Sequence, residues 1–194
     1  MPRLAIVGAG GYGRLVLDIL IAGGLEAWII GFYDDAHAVL PDKIRGIPVL
    51  GDIDMLKSIL SVEAVQVIVA ITENSTRLRI AKSMRDMGVR FFTAMHPSAY
   101  VSAEADVGDG SVLSAGAVVG PDATVGSHCY VGPQAAVDRD AVVEAGVWVS
   151  AGVIVGPGAR VGVRAVLGQN SSVERRAIVK EDAKVAALGS VDRV

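Results

Sequence analysis

The chain has 194 residues, of which 52% are hydrophobic and only 5% aromatic, with 23 glycines, 20% charged residues and a net charge of −3. Such a composition describes one folded domain or two small ones with an aliphatic core, and excludes a disordered chain or a basic nucleic-acid binder. The single cysteine, Cys129, excludes a disulfide framework and a thiolate zinc cluster, so no metal is expected. Mean hydropathy is high, at +0.48. Even so, Asp18, Glu26 and glycine pairs interrupt every apolar stretch before the ~20 residues that a membrane-spanning helix needs. Met1-Pro2-Arg3 runs straight into a strand pattern with no separate apolar leader. The sequence therefore reads as cytoplasmic, with no membrane insertion and no nucleic-acid partner.

Up to residue 95 short apolar runs alternate with helical patterns. The spacing predicts a strand over 4–7, ending in glycines, and a helix over 12–22 with Leu15, Ile19 and Ala22 on one face. A strand over 27–32 then ends at Asp34-Asp35. A helix over 54–60, a strand over 65–71, a helix over 75–87 stopped by Gly88, and a strand over 90–94 follow. Strand–helix alternation implies a parallel sheet covered by helices, and 95 residues is half of a dinucleotide-binding domain. Gly8, Gly10 and Gly13 fit the G-x-G-x-x-G spacing, which lets a phosphate approach backbone N–H groups at a helix start. Asp34 lies at the distance beyond them expected of a carboxylate that accepts from ribose hydroxyls. A plain βα turn with two solvated acids would leave the same pattern. A nicotinamide dehydrogenase does not fit, because only half a cofactor domain is present.

After residue 95 the pattern becomes a period of six. From Val101 through Val119, Val137, Val155 and Val173 to Val185, every sixth residue is a branched aliphatic. The fifth residue of each hexad is small or Val (Ala105, Ala117, Cys129, Val147, Ala165), and the second is often Gly (Gly108, Gly120, Gly126). No helix has this period. It predicts a parallel β-helix in which three hexads close one coil, the aliphatic points inward and the fifth residue fills a tight corner. Cys129 takes a fifth-position slot and is expected in the core. His37 and His128 are expected at the surface, and His96 is expected to cap the first coil.

The glycine loop, Asp34-Asp35, the junction His96-Pro97-Ser98-Ala99 and the unbroken hexads stand in an order that resembles one family. It is that of the bacterial nucleotide-sugar acyltransferases, of the sialic acid O-acetyltransferase and UDP-aminosugar N-acetyltransferase type. The resemblance implies a Rossmann-like α/β half domain over 1–95 and a left-handed parallel β-helix over 96–194. It implies a homotrimer with acetyl-CoA, the co-substrate, lying between neighbouring β-helices. The implied reaction moves an acetyl group from acetyl-CoA to a nucleotide-linked amino sugar for surface glycan synthesis. By the same resemblance Gly8, Gly10, Gly11, Tyr12, Asp34, Asp35 and Thr72 hold the nucleotide sugar, and acetyl-CoA runs past Trp148, Gly156, Gly168, Gln169 and Ala187. Arg175 and Arg176 are candidates for a CoA phosphate, within a late basic group that includes Arg160, Arg164, Lys180 and Lys184.

Three positions depart from the family. Arg139 stands where the family has its catalytic His, Trp148 stands in place of a second His, and Pro157 stands where a Gly often donates its N–H to the oxyanion. Arginine stays protonated and cannot be the base. The candidate catalytic set is therefore Arg139 with Asp138 and Asp140. Three roles are open to it: a carboxylate takes the proton, Arg139 holds an anionic group, or Arg139 only pairs with its acidic neighbours. A catalytically impaired relative that binds a nucleotide sugar or scaffolds a pathway is the alternative function.

Overall fold

A computed structural model describes residues 3–60 and 64–192; the chain start read at Met1-Pro2 lies outside them. The chain separates into two compact units, Met1–Ala94 and Met95–Val194.

In the first unit, the elements are β1 (Arg3–Val7), α1 (Gly11–Ala22), β2 (Ile29–Tyr33), β3 (Lys43–Ile44), β4 (Ile47–Gly51), α2 (Ile53–Leu60), β5 (Val65–Val69) and α3 (Asn74–Arg85). The sheet order is β3-β4-β2-β1-β5. β1, β2, β4 and β5 run parallel and β3 pairs antiparallel with β4. β1 and β5 are apolar along almost their whole length because both sheet faces are covered. Past β5 only a single bridge, Val67 to Phe91, extends the sheet where a strand over 90–94 was predicted. Residues 26–28 form a short 3-10 turn before β2 rather than strand.

The β3–β4 hairpin was not predicted. Its two-residue turn is Arg45-Gly46, with φ of +49° and +86°, a mirror-image turn that normally advertises itself with Asn-Gly or Asp-Gly. Arg45 also forms an ion pair with Asp18 on α1. α1 is also rotated from the predicted stripe. Val16, Leu17 and Leu20 face the core with Tyr12, Gly13 and the predicted Ile19, while Leu15 is only partly buried and Ala22 is exposed.

The second unit is a left-handed parallel β-helix. Two-residue strands pair with partners 18 positions away, as in Val118 with Ala136 and Ala136 with Ile154. They build three sheets of six, five and six strands. The hexad aliphatics Val119, Val137, Val155 and Leu167 and the fifth-position residues Ala117, Cys129, Ala135, Val147 and Val153 are all fully buried. The fifth residue therefore shares the interior with the first. The corner itself falls at positions three and four. Position four takes a left-handed backbone in every hexad from Gly110 (φ +70°) to Leu188 (φ +60°), including Asp140, Arg164 and Asn170. Second-position glycines have a packing cause. A Cβ on Gly126 would lie 2.7 Å from the backbone N of Ala145 in the next coil, and one on Gly168 would lie 2.5 Å from that of Ala187.

The corners stack into three edges of different chemistry. The first edge, at 103–104, 121–122, 139–140, 157–158 and 175–176, carries Glu104, Asp122, Arg139, Asp140, Arg175 and Arg176. The second carries Asp109, His128, Arg164, Glu181 and Asp182. The third, from Pro97-Ser98 to Ala187-Leu188, carries no Asp, Glu, Lys or Arg. Between the third and first edges one face turns Tyr100, Val118 and Ile154 outward, and they are 62%, 39% and 56% exposed.

Candidate active site

In the α/β unit the chain leaves β1 toward β2 on one side and toward β5 on the other. The crevice beyond the C-terminal ends of β1 and β5 is thus the topological switch point at which such sheets bind ligands. A cavity of about 250 Å³ lies in this unit, lined by Gly8, Tyr33, Asp34, Asp35, Ile53, Ile71 and, from α2 and α3, Lys57, Thr76, Arg79 and Ser83. Lys57 is paired there with Asp54 at 2.8 Å. The cavity brings together Gly8, Asp34 and Asp35 of the predicted residues. Gly10, Gly11, Tyr12 and Thr72 are not among its lining residues, and Tyr12 is buried, at 7% exposure.

Two of the three glycines are fixed by packing. Gly8 has φ +101°, and a Cβ there would lie 2.6 Å from the Ala70 carbonyl oxygen. A Cβ on Gly13 would lie 2.0 Å from the carbonyl oxygen of Gly8. Gly10 has nothing within 4 Å of its Cβ position, so its missing side chain leaves open space in front of the α1 N-terminus. Gly13→Ala should therefore destabilise the fold by about 2 kcal/mol or more. Gly10→Ala should leave stability nearly unchanged and weaken nucleotide binding. Thermal unfolding with calorimetric titration of UDP and GDP separates the two effects.

Asp34 is committed to the loop more than its sequence position suggests. Its Oδ2 accepts from the Ala9 N–H at 2.8 Å and its Oδ1 from the Ala36 N–H at 2.9 Å. Asp35 accepts from Ile53 N–H at 3.2 Å, at the start of α2, where Asp52 also accepts from Met55 N–H at 2.8 Å. Both acids still hold lone pairs for a ligand. Burial pushes the Tyr33 phenol up, against a smaller opposing pull from Arg3, and its hydroxyl has no hydrogen-bond partner among the described residues.

α3 is capped by Glu73, whose oxygens accept from Ser75 N–H at 3.0 Å and Thr76 N–H at 2.6 Å. Hydrogen bonds from Thr76 and then Ser75 hold this carboxyl down to about 2, from an ordinary 4.5. A folded-state value below the unfolded one gives stability that is present above pH 4.5 and is lost as the pH falls from 4.5 toward 2. Glu73→Gln should flatten the acid unfolding curve in that window and leave its slope above pH 5 unchanged. α1, in contrast, has no side-chain cap at Gly10, so no side chain offsets the positive end of its dipole there.

On the β-helix, Asp138, Arg139 and Asp140 share the first edge with Gly156, Pro157 and Arg175. The Asp138 Oδ1 accepts from the Arg139 N–H at 2.7 Å and lies 3.7 Å from the guanidinium, whose side chain is 55% exposed. The Asp140 carboxylate is exposed and has no hydrogen-bond partner among the described residues. The backbone beside them is already committed. Gly156 N–H donates to Val173 at 2.8 Å and Gly158 N–H donates to the Arg139 carbonyl at 3.0 Å, and Pro157 has no N–H.

The residues implied for acetyl-CoA divide between edges. Gly156 sits on the first edge, whereas Gly168, Gln169 and Ala187 sit on the third, with Trp148 on a neighbouring face. Trp148 stacks on Tyr130 with ring centroids 4.2 Å apart. Arg164 is not free for a phosphate, because Asp182 grips it through two bonds of 2.8 and 2.7 Å and Glu181 adds a third. Arg175 and Arg176 remain exposed on the first edge.

The histidines complete the comparison. His96 Nδ1 bonds Ser98 Oγ at 2.7 Å and the Ser98 N–H at 3.1 Å, closing the first turn. His37 is partly buried, with Nδ1 3.2 Å from the Asp34 carbonyl. His128, expected at the surface, is 3% exposed. Its ring lies over Gly110, where a Cβ would be 2.4 Å from Nδ1. Among the described residues no group of three or more His, Cys, Asp or Glu is placed to hold a metal ion, and no helix is long and apolar enough to cross a membrane.

This architecture, a small α/β unit followed in sequence by a left-handed β-helix, is that of acetyltransferases solved with CoA and a nucleotide sugar. The chain belongs to the nucleotide-sugar acyltransferase family with a PglD-type N-terminal domain; the PglD N-terminal domain matches residues 3–84. PerB from Caulobacter crescentus, solved with CoA and GDP-perosamine, is 30% identical over 100% of this chain and 90% of its own, with a TM-score of 0.91. A mutant of GDP-perosamine N-acetyl transferase from the same organism, in complex with the same two ligands, is 29% identical over 100% and 90%, with a TM-score of 0.92. The acetyltransferase domain of PglB from Neisseria gonorrhoeae, in complex with acetyl coenzyme A, is 28% identical over 97% and 92%, with a TM-score of 0.89. A comparison of the sequence with curated proteins gives no match.

Proposed function

We propose that the protein transfers an acetyl group from acetyl-CoA to the amine of a nucleotide-linked amino sugar in the cytoplasm, for surface glycan synthesis. The observation that carries this reading is the full-length likeness to PerB, which was solved with CoA and GDP-perosamine. The switch-point cavity and the uncapped α1 N-terminus support a nucleotide sugar in the α/β unit. Nothing in the comparisons favours a non-catalytic scaffold.

The chemistry needs a proton acceptor for the attacking amine and a donor for the oxygen that gains charge in the transition state. Asp140 is the acceptor in this reading, because its exposed carboxylate has no hydrogen-bond partner among the described residues, whereas Asp138 accepts from the Arg139 N–H and faces its guanidinium. The Arg139 guanidinium is the donor, because the neighbouring backbone N–H groups are committed within the coil. The amine attacks the thioester carbon and its proton passes to Asp140; the C–S bond then breaks and the leaving CoA thiolate takes that proton from Asp140, which returns to the carboxylate.

A single chain holds Arg139 and Gln169 on different edges, so the site is completed by a second copy. The uncharged third edge and the exposed Tyr100, Val118 and Ile154 beside it supply the contact surface of a homotrimer. Acetyl-CoA incubated with a panel of nucleotide 4-amino sugars should release free thiol, and Asp140→Asn should lower that rate about 10²-fold. Thiol release that Asp140→Asn leaves unchanged would remove Asp140 from the mechanism. No release with any acceptor would overturn the proposed function.

A further inference from the structure

Arg77 on α3 is only 1% exposed. Its Nη1 donates to the carbonyls of Ile71, at 2.8 Å, and Thr72, at 3.2 Å, and its Nη2 donates to Asn74 Oδ1 at 2.7 Å. A buried guanidinium is costly to place unless its donors are used, and these are spent on the loop that leaves β5 at the switch point. A trans peptide unit is planar, so its C=O and the next N–H point in opposite directions, and among the described residues no peptide bond is cis. With the Ile71 and Thr72 carbonyls drawn in to Arg77, the N–H groups of Thr72 and Glu73 are turned away from it. Both residues are exposed, and neither N–H has a hydrogen-bond partner among the described residues. The Glu73 carboxylate does not compete for them, because both its oxygens serve Ser75 and Thr76.

We propose that Arg77 is a positioning residue of the nucleotide-sugar site: it holds the β5–α3 loop so that the Thr72 and Glu73 N–H groups bind oxygens of the diphosphate, across the switch point from the glycine loop. Adjacent N–H groups held in one direction form an anion-binding concavity. This inference rests on the nucleotide-sugar reading of the α/β unit and adds a residue that makes no contact with the ligand.

The test is calorimetric titration of the full chain with GDP, UDP and acetyl-CoA, with thermal unfolding run alongside. Arg77→Lys should weaken nucleoside-diphosphate binding about ten-fold, the loss of one charge-assisted hydrogen bond, with acetyl-CoA affinity within about two-fold of wild type. Asn74→Ala should weaken it about three-fold by releasing Nη2, and Asn74→Asp should restore it, because a carboxylate still accepts that bond. A purely structural role would lower the melting temperature and move both ligands together, which would overturn the proposal. Unchanged GDP and UDP affinity in folded Arg77→Lys would overturn it too, and if Arg77→Lys does not fold, unchanged affinity in Asn74→Ala does so. Wild-type protein that binds neither nucleotide would instead overturn the nucleotide-sugar reading, and this inference with it.

Discussion

Replacing Arg139 with alanine is expected to lower kcat for acetyl transfer about 10²–10³-fold, with the KM of each substrate within about two-fold of wild type. The expectation follows from a count of donors along the first edge. Pro157 contributes no N–H, and those of Gly156 and Gly158 are used at 2.8 and 3.0 Å. The guanidinium of Arg139 has donors to spare between its two acidic neighbours, since its approach to Asp138 is 3.7 Å, too long for a hydrogen bond. An interaction that strengthens only as charge develops appears in kcat and not in KM. Arg139→Lys should recover part of the loss, because an ammonium donates but lacks the planar fork. Steady-state kinetics on the three proteins checks this; an alanine variant with wild-type kcat reduces Arg139 to a surface partner of Asp138, worth less than about 1 kcal/mol.

The second large effect is expected from two neighbouring residues. Val155→Asp should destabilise the β-helix by at least ~4 kcal/mol, measured by urea unfolding, because it puts an unpaired charge in a packed aliphatic column. Val155 is fully buried between Val137 and Val173. Ile154 belongs to the same two-residue strand but points outward, at 56% exposure. Ile154→Asp should leave the coil folded and convert the proposed homotrimer to monomers in light scattering. A folded, trimeric Ile154→Asp protein would move the subunit contact off this face.

The β-helix was legible because its constraint is local and repeated. Each coil needs an aliphatic at Val119, Val137 and Val155 regardless of anything distant, so the period survives in the bare sequence. The left-handed corner at position four was less so, because Asp140, Arg164 and Leu188 occupy it as well as glycine. α1 was placed but turned on its axis, since residues 15–17 and 19–21 are all apolar and a run that is apolar all round does not fix its phase. The hairpin at Arg45-Gly46 was missed because an arginine with positive φ gives no signal. In the α/β unit the glycines and Asp34-Asp35 were visible, but their hydrogen bonds were not. That Asp34 braces the loop through Ala9, and that Arg77 is buried against the loop leaving β5, depends on a pairing across 25 residues or on a side chain folded back into the protein. His128 escaped for a similar reason, as its slot is created by the absence of a side chain on Gly110, one coil away.

Because each rung of the column answers only to the rungs one coil before and after it, length is a free variable while phase is not. Excising or duplicating one whole turn leaves every surviving rung facing its proper neighbour, whereas losing a single residue turns the interior of all later coils outward. Such a chain can grow or shrink by gene duplication in fixed quanta, moving a given corner farther from or nearer to its ends without redesigning the interior.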